Sequence, residues 1–320
     1  HYLEKEYNNS NLNINIHNNF STKILRPFIK KILLKVFCKS SDVIICDSWK
    51  SLSAIPKSFN KIYVFAHGQE FLSKEKKFEK IKKSLSRASC IICSSNFTAS
   101  LIDKLKIIDT KKIVIPPTYS LEKLTEKKKK FTKNPERVSL LTICRLEQRK
   151  GILQVLRCLS NLDKNKLLKP FKWNICGEGL EFEGIKKNIN KLNLSDRVFL
   201  IGKINNNLKE KFLENSDVFV MPSYKVNDSI EGFGISYIEA AAHKIPSIAG
   251  LDGGVTDAVI DSKTGWCVDP LNQEQLGNVL KEAINNKHQR QKYGLAAEKK
   301  FLEEFLGEKV FRKFMDTISI

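Results

Sequence analysis

The sequence predicts an α/β fold with two doubly wound parallel sheets, one in each half of the 320-residue chain. Short apolar runs bounded by turn residues alternate with helix-length segments, and the alternation starts again after a lysine run at 127–130. Apolar strands separated by helices are typical of parallel sheets with helices on both faces. A chain of this length also exceeds what one compact core usually holds, so we expect two domains.

The strands of both halves are predicted from these apolar runs. Those of the first half are DVIICDS, KIYVFAHG, SCIICSS and KIVIPP; those of the second are SLLTICRL, KWNICGEG, RVFLIGKI, DVFVMPS, IPSIAG and GWCVDP. The charged segment EKKKKFTKNPER, which contains Pro135, lies between the two series, as a linker between domains often does. We therefore predict an N-terminal domain over 1–134 and a C-terminal domain over 135–320.

Composition and cysteine usage indicate a cytoplasmic globular protein. No apolar run approaches the roughly 18 residues that a membrane span needs, and the first residues lack the apolar core of a signal peptide. The eight cysteines are scattered through apolar stretches. Cys90 and Cys93 lie three apart in a predicted strand, so their side chains point to opposite faces. This favours reduced core cysteines over a metal or redox site.

Positive charge is concentrated in the first half of the chain. Residues 1–134 hold 27 Lys and Arg against 11 Asp and Glu, whereas the remainder holds 28 against 24. This surplus indicates an anionic partner, either a phospholipid surface or nucleic acid, or else a lysine-rich composition on solvated faces. The basic half lacks interleaved surface aromatic residues, so we expect no nucleic-acid partner.

A basic amphipathic helix is predicted over residues 23–39. Its apolar face is made of Ile24, Leu25, Phe28, Ile29, Ile32, Leu33 and Val36, and its lysines lie elsewhere on the helix. Such a helix can lie on an anionic bilayer. The alternative interpretation is that the same face packs on the sheet of the first domain.

Two cations follow the first strand of the second half, in ICRLEQRKG. Arg145 and Lys150 stand at the start of an amphipathic helix that Gly151 opens. A helix N-terminus favours anions, so a phosphate would fit there; two exposed basic residues are the alternative. The next loop, GEGLEF, has Phe182 where a dinucleotide-binding motif requires its third glycine, so that motif is absent.

Two carboxylates accompany the loop YKVNDSIEGFG. Glu231 lies in the loop, and Glu239 lies in the helix that begins near Gly234, so both can face one cleft. Carboxylates accept strong hydrogen bonds from neighbouring hydroxyl groups, as a sugar presents them. The alternative is a helix-terminal carboxylate with a solvated loop glutamate. Cations for a diphosphate and carboxylates for hydroxyls together indicate a nucleotide sugar.

Residues 139–269 resemble the retaining glycosyltransferases of family 4, which have the two-domain GT-B architecture. The resemblance lies in RLEQRKG, GEG, RVFLIGKI, SDVFVMPS, EGFGISYIEAAAHKIPSIAG and GGVTDAVIDSKTGWCVDP. The variant GGVTDAV is most similar to GDP-mannose-dependent α-mannosyltransferases. The resemblance implies two Rossmann-like domains that face a cleft, and hexosyl transfer from a GDP- or UDP-sugar.

The resemblance also implies a role for individual residues. It implies that His67, in FAHGQEF, lies near the transferred sugar and the acceptor, and that Glu231 positions the sugar; these two are the expected catalytic residues. The residues implied to bind the donor are Arg145, Lys150, Gly202, Ile204, Gly232, Phe233, Gly234, Ile235 and Glu239. Among these, the two cations would hold the diphosphate, Glu239 the ribose, and Gly202 and Ile204 the base.

No metal or other cofactor is expected. The chain has no Asp-x-Asp pair, so Arg145, Lys150 and a helix N-terminus would neutralise the leaving group. The expected acceptor is lipid-linked or saccharide, in cell-envelope glycan synthesis, at the inner face of the membrane. Nothing resembling the family's first strand and glycine-rich loop precedes HYLEKEYNN, so we expect an incomplete N-terminal domain. The alternative function is a truncated or degenerate module that binds nucleotide or membrane without turnover.

Overall fold

The computed structural model describes residues 25–72, 77–107, 110–119 and 136–318. Four parallel strands form the first sheet, in the order β1–β2–β3–β4. They are β1 (Ile44–Cys46), β2 (Ile62–Ala66), β3 (Cys90–Cys93) and β4 (Lys111–Val114). The α-helices of this part are α1 (Arg26–Phe37), α2 (Phe78–Leu85) and α3 (Asn96–Asp103), with 3₁₀ turns at Trp49–Ala54 and Gln69–Phe71.

Six parallel strands form the second sheet, in the order β10–β9–β8–β5–β6–β7. They are β5 (Val138–Ile143), β6 (Phe171–Cys176), β7 (Val198–Gly202), β8 (Val218–Met221), β9 (Ser247–Ala249) and β10 (Gly265–Cys267). The helices are α4 (Ile152–Lys164), α5 (Phe182–Lys191), α6 (Asn206–Glu214), α7 (Ile235–Ala242), α8 (Val255–Ala258), α9 (Gln273–Asn285), α10 (Lys287–Lys300) and α11 (Gly307–Ile318), with a 3₁₀ turn at Gln148–Lys150 and a π turn at Phe301–Phe305.

The predicted fold class is confirmed, because every predicted apolar run contains a strand of one of two parallel α/β sheets. One connection differs from the expected rhythm: β1 is followed by a 3₁₀ turn instead of an α-helix. The lysine run at 127–130 lies outside the described residues. The domain boundary at residues 134 and 135 therefore stays a prediction.

Local sequence explains where several helices begin. The side chains of Ser95, Asn205, Asn272 and Asn286 each precede a helix and accept a hydrogen bond from a backbone N–H of its first turn. Such N-caps satisfy donors that have no partner within the helix. These polar residues thus fix where the helices that follow them begin.

Six of the eight cysteines are buried, and Cys38 and Cys144 pack partly buried against the core. All eight are free thiols. Cys90 packs with Ile92 in one cluster and Cys93 with Ile91 in another, which places the two cysteines on opposite faces of β3. Burial raises the pKa of the Cys93 thiol to about 12. The pair is therefore protonated and separated, which excludes a joint metal or redox role.

The last helix of the chain returns to the first sheet. Val310 of α11 is buried with Tyr63 and Ile92 of β2 and β3, and the ring of Phe314 stacks on that of Phe65 with 5.9 Å between centroids. Sequence reasoning missed this crossing. The segment before this helix also contacts the end of the first domain, because the Thr118 hydroxyl donates to the carbonyl oxygen of Phe305.

The apolar face of α1 is turned to solvent. Leu25, Phe28, Ile32 and Val36 are exposed, whereas Leu34 packs against the core of the first domain. The interpretation in which the predicted face packs on the sheet is therefore wrong for these four residues. Ile24 lies outside the described residues. Over the described ranges, no helix combines the length and the apolar character needed to cross a membrane.

Candidate functional site

The candidate site lies where the strand order of the second sheet reverses. β5 is flanked by β6 on one side and β8 on the other, so the chain moves outward in one direction and then returns. Ligands of open α/β sheets bind in the crevice beyond the strand ends at such a point. The loops that follow β5 and β8 contain the predicted cations and Glu231, respectively.

The loop after β5 is held in a single shape by close backbone contacts. Gly151 ends the 3₁₀ turn with φ +74°, and a Cβ there would overlap the carbonyl oxygen of Pro222, just beyond β8. The Tyr224 N–H donates to the carbonyl oxygen of Arg149 at 2.9 Å. Glycine is required at 151 both for its dihedral angle and for the close approach. The two loops are therefore docked on each other.

Three charged side chains converge between these loops. Nη1 of Arg149 lies 2.8 Å from Oε2 of Glu231, and Nζ of Lys150 contacts the same oxygen. The Arg149 and Lys150 side chains are only 6% and 7% exposed. Burial opposes ionisation of Glu231, but the two cations outweigh it and hold the pKa of this carboxyl below its ordinary value. Glu231 is therefore an ionised acceptor.

Arg145 lies at the rim of this cluster. Its side chain is 69% exposed, and its Nε lies 2.8 Å from Oε1 of Glu147. The other oxygen of Glu147 lies 2.9 Å from Nε of Arg149. The two predicted phosphate cations thus do not contact a common anion: Lys150 contacts Glu231, and Arg145 is linked to that pair through Glu147 and Arg149.

Glu239 lies inside α7 and has its own cation. It is buried, and its Oε1 accepts a hydrogen bond from Nζ of Lys209 at 2.6 Å. The Ser236 hydroxyl of the same helix donates to the carbonyl oxygen of Ile143, which ties the start of α7 to the end of β5. Glu231 thus precedes α7 and Glu239 lies inside it, and each of the two glutamates has a charged partner.

The segment between the two glutamates brings the two domains into contact. Gly232 has no room for a side chain, because a Cβ there would overlap the carbonyl oxygen of His67. The Ser95 hydroxyl donates to the carbonyl oxygen of Gly232 at 2.8 Å, and Nε2 of Gln69 donates to that of Ile230 at 2.8 Å. The first domain therefore holds the Glu231 loop from the opposite side.

The remaining residues of this segment differ in exposure. The ring of Phe233 is buried and meets Phe305 edge to face, with 5.6 Å between centroids. Gly234 has φ +91° and precedes α7, whereas Ile235, the first residue of α7, is half exposed. The side chain of Phe233 packs in the core and lies at the edge of a cavity between the domains.

The predicted base-site residues lie at the end of β7: Gly202 is its last residue, and Ile204 follows two positions later. The Gly202 carbonyl oxygen accepts a hydrogen bond from the Gly177 N–H at 2.8 Å, which joins the two loops at this edge. A Cβ at Gly202 would meet nothing within 4 Å, so the space beside it is open. Ile204 is partly buried and packs, like Ile143 and Tyr119, against the core cluster that contains Tyr237.

His67 lies at the carboxyl end of β2, and its ring is oriented by the chain itself. Nε2 lies 3.0 Å from the carbonyl oxygen of Asp47, and the ring stacks on Phe65 with 6.3 Å between centroids. A carbonyl oxygen only accepts, so the hydrogen bond places a proton on Nε2. In the neutral ring, Nδ1 is then an acceptor.

A cavity of about 520 Å³ opens between the domains, beside Phe233. Ser95 and Asn96 line it from the first domain, and Asp257 and Lys313 from the second. The Asp257 carboxylate accepts from both the backbone N–H and the side-chain amide of Asn96. The cavity does not include the cations or glutamates described above, so the donor assignment rests on those paired side chains instead.

Sequence reasoning missed three charged residues of the site. Each of the three contacts a predicted residue, but their spacing in the sequence does not identify them as site residues. They are Glu147, Arg149 and Lys209. The adjacency of Arg149 to Lys150 was the available signal. Within the described ranges, no group of three or more His, Cys, Asp and Glu residues is placed to hold a metal ion.

Comparison with known proteins places this arrangement in a family. The family "Glycosyl transferases group 1" matches residues 124–300, more than half of the chain. The chain is 28% identical over 159 residues to poly(glycerol-phosphate) alpha-glucosyltransferase of Bacillus subtilis, which is 49% of this chain and 22% of that protein. It is 26% identical over 163 residues to GDP-mannose-dependent alpha-(1-6)-phosphatidylinositol monomannoside mannosyltransferase of Mycolicibacterium smegmatis, covering 50% and 42%.

Solved structures of other proteins share this fold. HepE of Anabaena, in complex with UDP and glucose, superposes with a TM-score of 0.77 at 15% identity, covering 100% of this chain and 89% of that one. The chain spans less than half the length of the two curated relatives named above. The family match and the two parallel-sheet domains together show that the chain belongs to the glycosyl transferases group 1 family and has the GT-B fold.

Proposed function

We propose that the protein transfers a hexose from a nucleotide-diphosphate sugar to a glycolipid or polysaccharide acceptor, with retention of configuration and without a metal ion. The convergence of Lys150 and Arg149 on Glu231 carries this proposal. It joins cations of the loop after β5 to the first carboxylate of the loop after β8. A site that holds a diphosphate beside a sugar needs cations next to a carboxylate.

In the proposed complex, Lys150 and Arg145 bind the donor diphosphate. Glu231, together with the backbone of 232–235, accepts hydrogen bonds from the transferred hexose. Glu239 accepts from the ribose hydroxyls; a carboxylate has about four acceptor positions, so its bond to Lys209 leaves capacity for them. Gly202 and Ile204 line the base. A UDP complex and a GDP-mannose-dependent relative both support a nucleoside diphosphate donor.

The proposed chemistry takes place on one face of the sugar. The bond from the anomeric carbon to the diphosphate breaks, and the acceptor oxygen bonds to the same face while its proton passes to the departing phosphate oxygen. Lys150 and Arg145 stabilise the charge that develops on that phosphate, the task that a metal ion performs elsewhere. His67 positions the sugar and the acceptor hydroxyl from the first domain. Retention itself rests on the resemblance to family 4.

We also propose that α1 rests on an anionic membrane at its cytoplasmic face, where a lipid-linked acceptor would be found. Leu25, Phe28, Ile32 and Val36 form an exposed apolar stripe, and Lys30, Lys31, Lys35 and Lys39 are exposed beside it. Each lysine near an anionic surface contributes on the order of 1 kcal/mol. The apolar stripe supplies the area that such helices bury in the interface.

Titration with UDP, GDP and their sugars tests the donor site and selects the base. Lys150→Ala removes a buried charge-assisted contact to the diphosphate, so we expect affinity to fall about tenfold or more. Lys187→Ala, on the exposed face of α5, is the matched control and should leave affinity unchanged. Equal binding by wild type and Lys150→Ala would contradict the assignment.

Release of the nucleoside diphosphate in the presence of saccharide or lipid-linked acceptors tests turnover. A glycosyltransferase releases it faster with the right acceptor, whereas a module that binds without turnover does not. Activity should persist in excess EDTA. Loss of activity in EDTA, restored by a divalent cation, would refute the metal-free mechanism.

Vesicle sedimentation tests the membrane proposal. Wild-type protein should bind vesicles that contain anionic phospholipid and should not bind neutral vesicles. Its binding to the anionic vesicles should weaken as the salt concentration rises. Phe28→Ser combined with Val36→Ser should weaken binding. Leu180→Ser, at a residue 97% exposed in the second domain, should not. Equal binding by the α1 variant and wild type would exclude this surface.

A further inference from the structure

The cations proposed to hold the donor diphosphate are already paired with carboxylates of the protein. Arg145 is bonded to Glu147, and Lys150 is bonded to Glu231. The five side chains form one chain of contacts, in the order Arg145, Glu147, Arg149, Glu231 and Lys150. With three cations and two anions, its net charge is +1. A diphosphate that binds Arg145 through the guanidinium edge carrying Nε therefore competes with Glu147.

The two carboxylates differ in how easily they can be displaced. Glu231 is bonded to two buried cations, so breaking these contacts would leave a buried charge without a partner. Glu147 instead reaches an exposed guanidinium with one of its oxygens. Exposed ion pairs are weak, so water or a phosphate oxygen can take the place of this Glu147 oxygen beside Arg145 at a small cost in free energy. The contact that gives way is thus the one between Glu147 and Arg145.

Glu147 also accepts a hydrogen bond from the buried Arg149 with its other oxygen, and a glutamine side chain at this position can still accept it. Glu147 precedes the 3₁₀ turn in extended conformation, yet its side chain caps no backbone N–H there. The loop is shaped instead by its backbone: the Leu146 N–H donates to the carbonyl oxygen of Glu178, and that of Glu181 to Leu146. Removing the charge of Glu147 should therefore leave the loop in place.

We propose that Glu147 is an internal counter-anion that occupies Arg145 until the donor arrives, and that it competes with the diphosphate for this guanidinium. The inference rests on the proposed donor site and adds a residue that tunes its affinity. Glu147 acts through Arg145 and is not itself a contact of the donor. When Glu147 leaves Arg145, the guanidinium becomes free to bind phosphate.

The proposal is tested by whether Glu147→Gln raises or lowers the affinity for a diphosphate. Calorimetric titration of inorganic pyrophosphate and of UDP or GDP compares wild type with Glu147→Gln. Loss of the competing carboxylate should tighten binding about two- to fivefold, the size of an exposed ion pair. Glu183→Gln, an exposed carboxamide substitution on α5, removes the same charge elsewhere and should leave affinity unchanged. If Glu147 instead holds Arg145 ready for phosphate, Glu147→Gln would weaken binding, and the proposal would be overturned.

A double-mutant cycle identifies the partner through which Glu147 acts. In an Arg145→Ala background, Glu147→Gln should have no effect on affinity for pyrophosphate. An equal tightening in both backgrounds would show a general charge effect and would refute the competition. If wild type binds neither pyrophosphate nor nucleotide, the donor site itself is wrong. A different result would refute only the role of Glu147: wild type binds pyrophosphate, Arg145→Ala binds it more weakly, and Glu147→Gln does not bind it more tightly than wild type.

Discussion

Glu231→Gln should destabilise the protein far more than an ordinary polar substitution. Arg149 and Lys150 are almost fully buried, and both are bonded to Glu231. In the variant, Arg149 keeps its contact with Glu147, but within the described residues Lys150 has no second ion pair. A buried charge that loses its partner destabilises by about 3–5 kcal/mol. The shape-matched carboxamide still accepts a hydrogen bond, so we expect about 3 kcal/mol.

Calorimetry and urea denaturation measure this change. For a domain of this size, about 3 kcal/mol corresponds to a fall in Tm of roughly 6–12 °C. Glu183→Gln is the matched control; it removes an exposed carboxylate in the first turn of α5, where the helix dipole contributes at most about 1 kcal/mol. A loss below about 1 kcal/mol for Glu231→Gln would refute the electrostatic account of this cluster.

The pH dependence gives a second check on the same prediction. The pKa of Glu231 is lower in the folded protein than its ordinary value, so its ionisation stabilises the fold above the unfolded-state pKa of about 4.3. That contribution is lost as the pH falls through the folded-state pKa. The stability difference between wild type and Glu231→Gln should therefore narrow below about pH 4. A constant difference down to about pH 3 would contradict this cause.

Two further substitutions test how the domains are joined. Gly232→Ala places a methyl group against the carbonyl oxygen of His67 and should destabilise the protein by about 1–3 kcal/mol. The control Gly277→Ala, in α9 with open space around it, should be neutral or stabilising. Similar Tm values for the two variants would show that the contact between Gly232 and His67 is not tight. Tyr119→Phe removes a 2.6 Å hydrogen bond to the Glu210 carboxylate and should lower the free energy of unfolding by about 1.5 kcal/mol. Because this hydrogen bond helps to lower the pKa of Glu210, the substitution should raise that pKa, which carboxyl NMR can follow. An unchanged pKa would refute the role of Tyr119.

The positions of the strands in the chain, and the loops on which the candidate site residues lie, could be predicted from local sequence. Strand and helix patterns are short-range properties, so the ten described strands lie where apolar runs predict them. Glu231 and Glu239 could be placed before and inside α7 because Gly234 marks the start of that helix. Parallel strands bring their carboxyl ends to one edge, which is why loops distant in the chain could be expected to meet.

The partners of the charged residues could not be predicted in this way. Arg149 bonds to Glu231 across 82 positions, and Lys209 to Glu239 across 30. An arginine in a polar loop normally points to solvent, and only the docking of the loops after β5 and β8 buries it. The face of α1 likewise could not be assigned, because an amphipathic pattern identifies the apolar side without indicating what covers it.

The sequence by itself determined the fold class, the order of the elements and the loops that carry the candidate site, since these depend on periodicity and on residues a few positions apart. Tertiary structure alone decided which charges pair, that α11 returns to the first sheet, and that Gly232 has no room for a side chain beside His67. Those features depend on how surfaces distant in the chain fit together. Ion-pair energies depend on distance and burial, and both are properties of the packed protein.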